Sequence, residues 1–170
     1  MCRLHTGSLQ PFLRPTAIDE VAPVALHGLD DSARLRMAVP DGFPLVLADP
    51  GLLERVLANL FSNALRHSPA SKPPELRARL DGNTVLIEVV DHGQGVPDAH
   101  KERIFEPFAR VDDRFGGIGL GLAVAKGFAE AMGGGIVARD TPGGGLTVGV
   151  TLPVAASDKS GDKSALGTGS

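Results

Sequence analysis

At 170 residues the chain fits one domain, or one domain with a tail, and its 42% hydrophobic content is enough for a core. Seven Phe with no Trp or Tyr, and a formal net charge of −3, argue against nucleic-acid binding, which leans on basic surfaces and aromatic platforms. The lone cysteine, Cys2, excludes an internal disulfide framework, fits a reducing compartment and lacks the partners of a zinc site.

Residues 1–12 read as a helix end followed by a Pro-broken linker. Ile18–Leu26 is a short helix candidate that Pro23 should limit. Leu35–Val39 and Leu45–Leu47 read as short strands on either side of the turn Pro40–Asp41–Gly42. The clearest helix starts at Asp49 as N-cap with Pro50 as its first residue. Leu53, Val56, Leu57, Leu60, Phe61, Ala64 and Leu65 then recur at helical spacing until Ser68–Pro69 ends the run.

Two strands follow, about Leu76–Leu80 and Thr84–Val90, joined by the hairpin signal Asp81–Gly82–Asn83. A short helix is expected near Ala99–Ile104, and a second long helix at roughly Gly119–Met132, stopped by Gly133–Gly135. Ile136–Arg139 and Leu146–Leu152 form a closing strand pair, and the Ser, Asp, Lys and Gly from Ala155 onward predict a disordered tail. Strands around two long helices, without strict βαβ alternation, predict an α/β two-layer sandwich: a mixed sheet covered by helices on one face. No apolar run approaches the roughly 18 residues of a membrane span. No signal peptide pattern opens the chain, so the expectation is a soluble, cytoplasmic piece whose longer parent is free to be membrane-anchored.

Three constellations stand out. Arg55, Asn59, Ser62, Asn63 and Arg66 line the polar side of the first long helix. An ordinary solvated face is one reading. Asn, however, costs helix propensity, and Asn63 borders the apolar stripe, where its amide oxygen could complete a Mg²⁺ shell held by nucleotide phosphates. Arg66 or His67 could reach the same phosphates.

Asp91–His92–Gly93–Gln94–Gly95 follows a strongly apolar strand, placing a carboxylate where it can accept from the amino group of a base; a simple turn Asp is the alternative. Gly117–Ile118–Gly119–Leu120–Gly121–Leu122 opens the second long helix, where free backbone N–H groups can cradle phosphate. A dinucleotide fingerprint fits less well, because the preceding Arg110–Arg114 stretch is polar and the glycine spacing is wrong. Phe105 and Phe108, three apart, read as core anchors at the base of a segment able to fold over a nucleotide.

The order of these pieces resembles the ATP-binding domains of sensor histidine kinases, in the superfamily shared with DNA gyrase and MutL. Asn59–Ser68 resembles the asparagine box, Asp91–Gly95 the first glycine box, Phe105–Phe108 the phenylalanine box and Gly117–Leu122 the second glycine box. The likeness runs from about Leu9 to Pro153, and Asp49–Ser68 with the short lid looks most like the KdpD-type potassium-sensing branch.

The resemblance implies the Bergerat ATP-binding fold with ATP and Mg²⁺ as cofactors. It assigns Asn63 as metal ligand, with Asn59 beside it. Arg66, His67 and Arg110 would lie near the phosphates, and Asp91 would bind the adenine amino group with Gly93, Gly95 and Thr147 around the base. Gly117, Gly119, Gly121 and Leu122 would wrap the phosphates. Asn59, Asn63 and Arg66 would be the catalytic set. ATP-hydrolysing relatives carry a Glu where Asn59 stands, and an amide cannot take a proton from water. The implied reaction is therefore transfer of the γ-phosphoryl group to a histidine on a separate domain, for onward transfer to a response-regulator aspartate.

That histidine would sit in an upstream hairpin within a His-Glu-x-x-Thr-Pro-like stretch, which has no match here. The resulting expectation is residues 1–12 as the end of a dimerisation/phosphoacceptor hairpin and linker, 13–154 as the catalytic domain and 155–170 as tail. Such a piece would bind ATP without phosphorylating itself, and would touch neither nucleic acid nor membrane directly.

Overall fold

A computed structural model describes residues 10–106 and 121–155. Its frame is a five-stranded sheet in the order β2-β4-β5-β7-β6. The strands are β2 (Arg36–Ala38), β4 (Glu75–Asp81), β5 (Thr84–Val90), β6 (Gly135–Asp140) and β7 (Leu146–Pro153). β2 runs parallel to β4 and every other neighbour pair is antiparallel, so the sheet is mixed as expected. A separate antiparallel ribbon joins β1 (Arg14–Thr16) to β3 (Val46–Ala48), and the bridge Val46–Val154 ties it to the end of β7.

Strand alternation decides which face is covered. The register aligns Leu76 with Val89, Ile87 with Val150 and Ile136 with Val150, and all of these side chains are buried in one core. The other face carries a cross-sheet row of Ala38, Arg77, Glu88, Gly149 and Val137. Glu88 is buried even there, because Arg139 donates to its Oε2 from Nη2 at 2.6 Å and from Nε at 3.2 Å.

Helices close the core side. In α2 (Pro50–His67) the buried residues are the same seven that the spacing picks out, Leu53 through Leu65. Burying a Leu or Phe side chain is worth about 1.5–3 kcal/mol, whereas Asn costs a helix about 0.7 kcal/mol relative to Ala. Packing therefore holds α2 helical straight through Asn59 and Asn63. α1 (Ile18–Leu26) and α3 (Gly121–Ala131) both pack on α2, with Ala22, Ala25, Ala125 and Ala129 permitting close approach. None of the described helices is long and apolar enough to cross a membrane.

Some expectations need correcting. α1 keeps the expected bounds with Pro23 inside it, and both Pro23 and Asp19, the residue whose carbonyl it deprives of a donor, are exposed. The helix expected near Ala99–Ile104 is two separate 3₁₀ turns, Asp98–His100 and Arg103–Phe105. β1, three residues interrupted by Pro15, has no signal in the sequence; its existence depends on pairing with β3. Ala155, expected to start the tail, is buried and donates its N–H to the Leu45 carbonyl. The remaining tail and hairpin assignments, residues 156–170 and 1–9, lie outside the described residues, as do Phe108, Arg110, Gly117 and Gly119.

Candidate functional site

Asp91 stands one residue past the end of β5 and is buried. Its Oδ1 accepts two backbone N–H groups, Gly93 at 2.9 Å and Leu146 at 3.0 Å, while its own N–H donates to the Leu146 carbonyl at 2.9 Å. Charge-assisted bonds of this kind are worth about 1.5–3 kcal/mol each and fix the carboxylate's orientation. Oδ2 accepts from none of the described residues.

Two glycines make the surrounding turns possible. A Cβ on Gly93 would stand 2.3 Å from the His67 carbonyl oxygen, so the last turn of α2 rests directly on the Asp91–Gly95 loop. A Cβ on Gly145 would stand 2.1 Å from the Asp91 carbonyl oxygen, and Gly145 also has φ +118°. Gly95 in turn approaches the Gly145 carbonyl. The Thr141–Gly145 turn is therefore a wall of the same site, although it carries no functional signature beyond its clustered glycines.

The amide-bearing side of α2 leads away from this loop. Asn63 lies one helical turn before His67, and Asn59 one turn before that. The 59–67 span rises about 12 Å. At its far end stands Gly121, the first residue of α3, where a Cβ would come 3.8 Å from the Asn59 amide. Asn59, Ser62 and Asn63 are half-buried, so this is no ordinary solvated face; Arg66 and Arg55 are exposed. Asp91, Gly93, His67, Asn63, Asn59 and Gly121 thus form a continuous line. Leu122 is half-buried against the core, and Phe105 is buried as a core anchor.

His67 is held below its ordinary pKa by burial, with Arg66 acting in the same direction and Asp91 opposing. Thr147 does not join the line. It alternates with the core residues Leu146 and Val148, pairs in register with Val90 and Arg139, and its hydroxyl lies 2.9 Å from that of Thr141. Leu146, through its backbone N–H, occupies the position beside Asp91. No pattern in the sequence could mark it, because every residue type but proline carries a backbone donor.

The two ends of α2 are fastened independently. Asp49 caps the N-terminus, Oδ1 accepting from Gly51 and Leu52 and Oδ2 from the N–H of Phe12. Arg34 caps the C-terminus, its guanidinium donating to the carbonyls of Leu65, Ser68 and Pro69 at 3.4, 3.1 and 2.8 Å. Ser68 Oγ then accepts from the N–H of His92, next to Asp91. Among the described residues no cluster of three His, Cys, Asp or Glu is placed to hold a metal ion.

A mixed sheet backed by helices on one face, with a buried carboxylate just past a strand end and beside the end of an asparagine-bearing helix, is the architecture of the Bergerat ATP-binding type. Residues 48–156 match the histidine kinase-, DNA gyrase B-, and HSP90-like ATPase family, and the chain belongs to it. It is similar to the sensor protein KdpD of Rathayibacter rathayi, 45% identical over 161 residues that cover 92% of this chain and 18% of that protein. KdpD of Mycobacterium tuberculosis is likewise 45% identical over 159 residues, covering 88% of this chain and 18% of its own length. The chain therefore spans under a fifth of these curated relatives.

Among solved structures, full-length ShkA in complex with AMPPNP superposes with a TM-score of 0.73 at 29% identity, covering 89% of this chain and 34% of that one. The mycobacterial sensor histidine kinase MprB gives 0.73 at 25% identity, covering 84% and 98%.

Proposed function

We propose that this domain binds ATP with Mg²⁺ and presents the γ-phosphoryl group to a histidine on a separate dimerisation/phosphoacceptor domain, from which it passes to a response-regulator aspartate. The geometry of Asp91 carries the reading: one carboxylate oxygen accepts from two backbone donors, and among the described residues none donates to the other, which can accept a ligand's amino group. AMPPNP in the similar ShkA structure supports the choice of nucleotide, and the kinase names of the relatives support the choice of acceptor.

In this reading the adenine lies against Gly93, Gly95 and the Leu146 backbone, with the triphosphate running along α2 toward Gly121. His67, kept neutral by burial, can donate to phosphate from its imidazole without adding charge, and Arg66 supplies charge from the exposed side. Asn63, half-buried and neutral, offers a hard oxygen suited to magnesium, with phosphates and water supplying the other ligands. Magnesium, when bound, neutralises phosphate charge during transfer. Asn59 beside it orients by hydrogen bonding but cannot deprotonate water, so positioning and electrostatics remain as this domain's contribution. Gly117, Gly119 and Arg110 belong to the same phosphate set by resemblance.

The test is calorimetric titration with AMPPNP, with and without Mg²⁺, of wild type and Asp91→Ala. Losing the amino-group bond to a buried carboxylate should weaken binding about 10- to 100-fold, and equal affinities would sink the adenine assignment. Mixing the chain with a relative's phosphoacceptor hairpin and γ-labelled ATP then separates kinase from simple nucleotide binder. Phosphohistidine on the hairpin is expected, and rapid phosphate release by the chain alone would instead indicate an ATPase.

A further inference from the structure

Lys101 has no place in the line of residues above, yet it joins the two turns that frame Asp91. Its ammonium lies 2.7 Å from the Val96 carbonyl oxygen, 2.7 Å from Asp98 Oδ1 and 2.8 Å from Asp140 Oδ1. An ammonium has three protons, and here three oxygens take them. The Lys101 side chain is 14% exposed, although those of Asp98 and Asp140 are 91% and 69% exposed.

The placement of the three acceptors matters more than their number. Val96 directly follows Gly95, at the end of the Asp91 loop. Asp140 ends β6 and directly precedes the Thr141–Gly145 turn, whose Gly145 abuts the Asp91 carbonyl. Close to Asp91 the two turns abut backbone to backbone at Gly95, Gly145 and Asp91, and the Asp91 carboxylate bridges them at one end through Gly93 and Leu146 N–H; Lys101 joins them at the other. An exposed ion pair by itself contributes little. This one differs, because a backbone carbonyl and a carboxylate from a distant strand converge on a side chain largely withdrawn from water. The bond to Asp140, followed by that to Asp98, raises the Lys101 pKa above its ordinary value, so the clamp stays charged throughout the physiological range.

We propose that Lys101 is a positioning residue for base recognition: by clamping the Gly95–Val96 backbone to Asp140 it fixes the gap between the two turns and hence the aim of the Asp91 carboxylate. The proposal rests on the reading of this cleft as an adenine site. It predicts a defect in base discrimination, which loss of fold stability alone would not produce. Opening the gap lets Asp91 turn away from the exocyclic amino group while the phosphate end of the cleft is untouched.

The experiment measures the affinity of the 170-residue chain for AMPPNP and for its inosine counterpart, which carries an oxygen in place of the amino group. Wild type, Lys101→Arg, Lys101→Met and Asp140→Asn are compared, with a thermal melt of each. Wild type should prefer the adenine form. Lys101→Met and Asp140→Asn should lower that preference about fivefold, and Lys101→Arg should retain most of it. An unchanged preference in both disrupting variants overturns the clamp, whatever their melting temperatures. Should Lys101→Met fail to fold, Asp140→Asn decides the matter, because it leaves Lys101 its bonds to Val96 and Asp98. If wild type binds neither nucleotide, or binds both equally, the adenine reading itself falls, a result distinct from failure of the clamp alone.

Discussion

Gly145 shows how much of this site rests on a missing side chain. A methyl group there would meet the Asp91 carbonyl at 2.1 Å, on a residue already in a left-handed conformation. Gly145→Ala should destabilise the domain by about 2–4 kcal/mol and weaken AMPPNP binding even at temperatures where the variant is fully folded. Chemical denaturation and titration on the same sample check both. His67 gives a pH signature. Burial lowers its pKa below the ordinary 6.5, so between the folded and unfolded values the unfolded chain holds more protons. The stability contributed by neutral His67 is complete above about 6.5 and is lost as pH falls through the folded pKa. Urea denaturation across about pH 5 to 8 should therefore show a shallower acid-side slope for His67→Gln than for wild type; identical slopes would refute the assignment. Asp91 and Asn63 could be found in the sequence because each sits at a chemically odd place, a carboxylate ending an apolar strand and an amide inside a helix. Leu146 and Lys101 could not, since one contributes only backbone groups and the other only a contact between segments distant in the chain.

At the scale of elements, α2 is the part most fully legible beforehand. Its cap, its Pro at the first position and its seven-residue stripe all agree, and local signals that agree with tertiary packing mark a well-specified element. What the sequence hides is how the helix ends. Arg34, from the 3₁₀ turn Ser32–Arg34, spreads its guanidinium over the Leu65 carbonyl in the last turn of α2 and the Ser68 and Pro69 carbonyls just beyond it. Arg34→Met should cost about 1–3 kcal/mol in unfolding free energy, and Arg34→Lys should recover only part of it, because an ammonium cannot reproduce the planar fork. The same variant should loosen the Asp91 loop, since Ser68, which it helps to hold, accepts from His92. Faster amide exchange at His92 and Gly93 in Arg34→Met would report this coupling. Short elements are less readable: β1 depends on a partner strand, and residues 98–105 carry helical composition but are too few to sustain an α-helix on local propensity alone.

Across the molecule, sheet order follows from pairings that no local pattern encodes. β2 and β3, neighbours in sequence on either side of a turn, part company: β2 joins β4 in parallel and β3 pairs with β1. The overall class, a mixed sheet with helices on one side, was nevertheless readable, because strand alternation and helix spacing each state which side must be covered. One early contact has a larger reach than its size suggests. The backbone N–H of Phe12 holds the same Asp49 carboxylate that caps α2. The incoming polypeptide is thereby geared to the asparagine-bearing helix at its first turn. Segment and helix start therefore share one carboxylate, so that replacing Asp49 would release both together.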